Sequence, residues 1–175
     1  MNHLTTAEIE AALESVLASP KDVGVLELIV RRPRENEREE LETVELDVEK
    51  GLVGDNWFGS GRAIDSQITM INSRLVGLIA RDDSRRALAG DQLYVDLDLS
   101  EENITNGSRL EVGEAMLEVT EKPHNGCKKF VERFGLEAML FVNSPIGRRH
   151  HLRGIYAKVI RSGFVRRGDK VRRVR

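Results

Sequence analysis

The chain has 175 residues and a mass of 19.7 kDa, the length of one domain able to bury a real core. With 27 basic and 29 acidic residues its formal net charge is −2, and its longest apolar run, Ala138 to Val142, is far below the roughly 20 residues that cross a bilayer. A single cysteine, Cys127, excludes an internal disulfide and any zinc site built from several cysteines.

Met1 to Pro20 reads as an amphipathic helix carrying glutamates, not as a secretory signal, so a reducing cytoplasm is the expected compartment. Thr5 stands three residues before Glu8, a capping-box spacing, and Ile9, Leu13, Val16 and Leu17 follow at helical intervals, which predicts a helix over Thr6 to Ala18. Ser19-Pro20 stops it. The β-branched run Val23 to Val30 predicts a mostly buried strand, and the charged segment from Arg31 to Lys50 reads as a hairpin-like excursion in which Val44 and Leu46 alternate with acids.

Four glycines between residues 51 and 61 mark a tight loop. Ile68 to Asn72 reads as a strand, and Ser73 as the cap of a helix reaching about Leu88. Leu93, Val95 and Leu97 alternate as a strand. A long β segment is expected over Arg109 to Glu121, with Gly113-Glu114 as a bulge or corner. After Pro123 come a helical stretch, Cys127 to Phe141, broken at Gly135, a loop from Asn143 to Gly147, and closing strands at Gly154 to Ile160 and Phe164 to Val174.

About seven strands against three helices, without one-for-one alternation, disfavours a doubly wound sheet. Glycine followed by an acid recurs at Gly54-Asp55, Gly90-Asp91, Gly113-Glu114 and Gly168-Asp169, and such corners suit the sharp bends of a small closed barrel. The expected fold is mainly β (α+β): a barrel with peripheral helices over residues 21–175, preceded by an N-terminal helical extension over 1–20. Seven cations and one acid fall between Arg161 and Arg175. Valines at 159, 165, 171 and 174 interleave with them, as in edge strands exposing one charged face.

Pro123-His-Asn-Gly-Cys-Lys-Lys-Phe130 joins a strand to a helix. This places Cys127 near a helix N-terminus, with Lys128, Lys129 and His124 able to add positive charge and Gly126 allowing close approach, a setting that favours a thiolate. Against it stands the ordinary role of a lone cysteine as a small core residue. His124 and Cys127 have a His-x-x-Cys spacing, but His150 and His151 fall in an arginine-rich loop and complete no zinc set. The glycine-rich loop lacks the lysine-serine ending of a phosphate loop and the dinucleotide GxGxxG order. Eight aromatic residues make no stacking platform for bases.

Gly51-Leu-Val-Gly-Asp55, Ala89-Gly-Asp-Gln-Leu93, Glu102-Asn-Ile104, Leu110 to Val119 and Pro123-His-Asn-Gly-Cys127, in this order, resemble a MOSC domain, the module named for the C-terminal part of molybdenum cofactor sulfurases. Arg133-Phe-Gly135, Leu152-Arg-Gly154 and Gly163 to Val171 resemble the closing region of stand-alone bacterial members. The resemblance implies a MOSC-type closed barrel whose cysteine serves the molybdenum cofactor (molybdopterin). That sulfur acts either as a persulfide carrier in sulfur transfer or as a molybdenum ligand in reduction of N-hydroxylated compounds. It implies Cys127, His124 and Lys128 as catalytic residues, and Cys127 as the molybdenum ligand. Arg62, Asn103, Gly126, Lys129, Arg133 and Arg153 then hold the anionic pterin. The pyridoxal phosphate of the sulfurase parents belongs to a domain this chain lacks, and no Schiff-base lysine site stands out. A small-molecule substrate and a sulfurase or electron-donor reductase partner are expected; nucleic acid and membrane partners are not. Asn56-Trp57-Phe58 follow Asp55 where some members carry histidines.

Two other readings stay open. One is a non-catalytic barrel that meets a polyanion or protein partner through its basic C-terminal strands. The other is a thiol redox sensor using Cys127 alone.

Overall fold

A computed structural model describes residues 3–174. The capping box of helix α1 (Thr6–Leu17) forms as its spacing predicts: the Thr5 hydroxyl accepts from the Glu8 N–H, and the Glu8 carboxylate accepts from the Thr5 N–H. Strand β1 (Val23–Arg31) follows, then β2 (Glu39–Leu41), β3 (Thr43–Asp47), β4 (Gly51–Leu52) and β5 (Ile68–Asn72). Helix α2 (Ser73–Ala80) leads to β6 (Leu93–Asp96), β7 (Arg109–Val112) and β8 (Ala115–Val119). Helices α3 (Lys128–Phe134), α4 (Leu136–Asn143) and α5 (Pro145–Arg149) precede the closing strands β9 (Ile155–Arg161), β10 (Gly163–Arg166) and β11 (Lys170–Val174).

Seven strands close into a ring in the order β1-β6-β5-β9-β8-β7-β11, sealed by the antiparallel pairing of β11 with β1 at Val23↔Arg172, Gly24↔Val171 and Val25↔Lys170. The β5–β6 pair alone in the ring is parallel, bridged by α2. A small sheet, β10-β3-β4, adds Val44, Leu46, Leu52 and Val165 to the barrel core. A second apolar cluster lies outside the ring: Ile9 and Leu13 of α1, Leu75 and Val76 of α2, and Phe130 and Phe134 of α3 pack on Leu28, Val30, Ile71 and Tyr94. Strand β5, covered on both faces, is therefore buried at all five residues.

Several expectations change. Helix α2 ends at Arg81, whose φ of 61° is left-handed, and a 3-10 turn over Asp83–Ala89 replaces the longer helix; its cap is Asn72, not Ser73. Gly113-Glu114 is no bulge but the two-residue turn of the β7–β8 hairpin, pairing Val112 with Ala115, and Gly113 supplies the φ of 52°. The expected loop from Asn143 to Gly147 contains the start of α5, with Ser144 accepting from the Gly147 N–H and Pro145 at the first turn. Strand β11 is no edge, since β1 and β7 flank it. Part of the basic C-terminal face is ion-paired: Arg161 and Arg172 meet Glu111, and Arg167 meets Glu42. No helix among the described residues is long and apolar enough to cross a membrane.

Candidate functional site

Cys127 is the N-cap of α3, an exposed free thiol with no capping hydrogen bond. It lines a cleft of about 580 Å³ at one end of the barrel, within the size range of small-molecule sites. Five segments meet there: the end of β1 with its loop, the glycine-rich loop after β4, the Ala89-Gly90 turn before β6, α3 with its N-cap, and Arg153 from the turn before β9.

Two of the glycine-acid corners hold arginines rather than merely bending strands. Asp55, its side chain fully buried, accepts from Arg32 Nε at 2.9 Å and Nη2 at 2.8 Å, and from the Arg32 and Trp57 N–H groups at 3.0 Å. Burial opposes the Arg32 charge, but the Asp55 hydrogen bonds and carboxylate outweigh it and raise its pKa. Asp91, also fully buried, accepts from Arg153 Nη1 at 2.8 Å, and the Arg153 guanidinium lies 5.0 Å from the Phe130 ring centroid. Burial pushes Asp91 above the usual carboxylate range while Arg153 pulls it back.

The remaining cations are less well matched. Lys129 pairs with Glu35 at 2.5 Å across the mouth of the cleft. Arg38, Arg62 and Arg133 have no carboxylate at ion-pair distance among the described residues; they donate to carbonyl, hydroxyl and amide oxygens of Glu37, Ser60, Asn56 and Leu88. Thus six cations face three carboxylates. Burial and the neighbouring Arg133 and Arg32 push Arg38 below the usual guanidinium value, and Arg38 Nε is buried without a partner. Gly90, with φ of 82°, makes the convergence possible: a Cβ there would lie 3.3 Å from Arg133 Nη1 and from Arg38 Nη2. Converging guanidiniums without carboxylate partners, beside an accessible sulfur, are donors of the kind that anions pair with.

Of the residues expected from sequence, Cys127, Lys129, Arg62, Arg133 and Arg153 share this cleft. Gly126 lies behind it and fixes the loop, its N–H donating to Asn143 Oδ1 at 2.8 Å while Asn143 Nδ2 donates to the Gly126 carbonyl. Lys128 is exposed and lines no part of the cleft. Asn103 lies elsewhere, its amide donating to the Lys21 and Asp98 carbonyls and accepting from Arg173. His124 is not the cation expected beside the thiol: burial, then Arg153 and Arg32, hold its pKa well below the ordinary value, so it is neutral near pH 7. Its 3.6 Å approach to Asp91 is accordingly no ion pair. Arg32 and Arg38 were missed because they fall in the charged segment read as an excursion; Asp55, an acid in an otherwise uncharged loop, was the available signal.

A family model of the MOSC domain matches residues 27–172. The chain belongs to the MOSC domain family. It is thus related to the C-terminal domain of molybdenum cofactor sulfurases. Solved structures show the same fold at low identity. YiiM from Escherichia coli is 22% identical over 86% of this chain and 70% of its own, with a TM-score of 0.56. The YUAD protein from Bacillus subtilis is 18% identical over 85% and 94%, with a TM-score of 0.57. YiiM from Geobacillus stearothermophilus is 16% identical over 89% and 74%, at 0.55. No curated protein matches this MOSC chain significantly.

The cofactor associated with MOSC domains is an anionic pterin bearing metal, sulfur and phosphate, and the donor set of the cleft fits it. The buried, partnerless Arg38 Nε and the cradle at Gly90 suit the phosphate, and the exposed sulfur suits the metal. Among the described residues no cluster of three or more His, Cys, Asp or Glu gathers to hold a metal, and Cys127 is the thiol on the cleft wall.

Proposed function

We propose that this MOSC protein binds the molybdenum cofactor in the arginine cleft, with Cys127 as the thiolate ligand of the metal, and works in reduction of N-hydroxylated small molecules. The observation that carries the reading is Cys127 exposed on the wall of a cleft where three guanidiniums lack carboxylates. Arg38 and Arg133, converging over Gly90, take the phosphate, and Arg62 extends the cationic surface along the glycine-rich loop. Arg32 and Arg153 are locked by buried carboxylates and set the shape of the site before anything binds, which lowers the ordering cost of association. Lys129, tied to Glu35, borders the mouth. Once bound, the molybdenum centre supplies two-electron redox chemistry; a separate donor protein delivers the electrons.

The same exposed sulfur supports a second reading, a persulfide carrier that accepts sulfur from a sulfurase partner. Co-expression with cofactor biosynthesis, followed by elemental mass spectrometry of wild type and Cys127→Ser, separates the two. Molybdenum in the wild type and its loss in the variant supports the ligand reading. Equal, negligible metal in both proteins overturns it, and an added mass of about 32 Da on Cys127, one sulfur atom, then supports the carrier. Arg38→Gln with Arg133→Gln tests the phosphate assignment by calorimetric titration with inorganic phosphate.

A further inference from the structure

Behind the loop 123–127 lies a second cavity, of about 420 Å³, that shares only Arg153 with the arginine cleft. Its chemistry is different. Ile104, Val119, Val142 and Ile155, each at most 4% exposed, form an apolar floor. Around the lining, Glu101 and Glu121 balance Lys122 and Arg148, and the charge of Arg153 is met by the buried Asp91 behind the wall, so no surplus charge selects an anion. An apolar cavity with few convergent polar groups is the usual form of a small-molecule site.

One polar group enters it without a partner. The His124 side chain is 8% exposed and lines the cavity, and no hydrogen bond reaches either ring nitrogen among the described residues. Nδ1 is buried and points toward Asp91 Oδ1 at 3.6 Å, while Arg153 holds the other carboxylate oxygen at 2.8 Å. A carboxylate only accepts, and its charge beside Nδ1 favours the tautomer with the proton on Nδ1 and a lone pair on Nε2. The Tyr156 ring, with its centroid 4.4 Å away, supports the imidazole. Nδ1 is thus the buried ring nitrogen, Nε2 is the one left accessible, and a donor in the cavity can meet its lone pair.

We infer that this cavity is a binding site for an uncharged small organic molecule with an apolar body and one O–H or N–H group that donates to His124. The body rests on Ile104, Val119, Val142 and Ile155, and the donor turns inward toward the wall that also carries Arg153. The cavity therefore places such a molecule beside the residue that forms part of the arginine cleft. The assignment does not depend on the cofactor being bound.

Phenol and anisole make the test, since they share a body and an oxygen but only phenol donates. Protein free of cofactor, with 15N-labelled histidine, is titrated with each and followed by NMR. Phenol is expected to shift the His124 Nε2 resonance saturably and to bind about five- to tenfold more tightly than anisole, the net worth of one neutral hydrogen bond. His124→Phe should erase that difference. Asn106→Trp, a substitution at an exposed position of the lining that spares the core, should abolish binding of both. Equal affinity for phenol and anisole, no shift at His124, or unchanged binding in Asn106→Trp would each overturn the assignment. Metal content of Cys127→Ser is blind to this cavity, so failure of the cofactor reading and failure of this one give different results.

Discussion

Replacing Asp55 with Asn isolates the buried carboxylate that holds Arg32. Four donors converge on this side chain: Arg32 Nε, Nη2 and N–H, and the Trp57 N–H. The substitution keeps the volume but turns two acceptor oxygens into one and sets an amide NH2 against a guanidinium whose side chain is only 11% exposed. Removing one partner of a buried pair leaves the other charge uncompensated, at a cost of about 3–5 kcal/mol. For a chain of this size that corresponds to a fall in Tm of roughly 6–20 °C. Urea denaturation of Asp55→Asn, Arg32→Met and the double variant gives both the cost and the coupling between the partners. The double variant is expected to recover much of the loss, because an apolar side chain needs no counter-ion. A single Asp55→Asn variant within about 1 kcal/mol of the wild type, or additive losses in the double variant, would refute the idea that Asp55 is the post on which Arg32 stands.

Gly90→Ala should destabilise by about 1–2 kcal/mol, through its φ of 82° and the guanidinium nitrogens 3.3 Å from the new methyl, and should weaken inorganic phosphate binding in the same calorimetric titration. Protonation of His124 opposes folding: its folded pKa lies well below the 6.5 of an exposed imidazole, so below pH 6.5 the unfolded chain binds a proton the folded one does not. Its effect on stability is absent above that pH and grows as pH falls toward the folded value; Tm measured from pH 7.5 to 5 should drop less steeply in His124→Phe than in the wild type, and parallel profiles would count against the buried, neutral imidazole. Glu35→Gln removes the acid at the mouth of the arginine cleft and should tighten phosphate binding about twofold at low salt, an effect that fades in 0.5 M NaCl because the Glu35–Lys129 pair is exposed.

Local signals were legible wherever local chemistry decides. The Thr5–Glu8 box, the strand-to-helix junction at Cys127 and the turn at Gly113-Glu114 all sit where the sequence places structure, although the last closes a hairpin instead of bending a strand. Family order carried the barrel and five residues that line the cleft. What escaped was burial of charge. Nothing local separates Arg32 and Arg38 from the solvated Arg34, since only the distant Asp55, Arg133 and Gly90 make the difference. Asn103 shows the converse: a plausible anion donor by type, it is engaged by Lys21, Asp98 and Arg173, far apart in the chain. Arg81 ends α2 with no glycine or proline to announce it, whereas Ser144-Pro145 did announce α5 through a cap followed by proline at the first turn.

The seam between β1 and β11 makes folding a matter of timing. It joins Val23 to Arg172, so the ring stays open during synthesis until β11 has left the ribosome. Until then β1 at Val23–Val25 and β7 along all four of its residues present unpaired backbone, edges that readily pair with those of another chain. A premature stop before Lys170 would therefore leave an adhesive, unsealed sheet rather than a slightly smaller protein, and expression of such a product is expected to end in inclusion bodies.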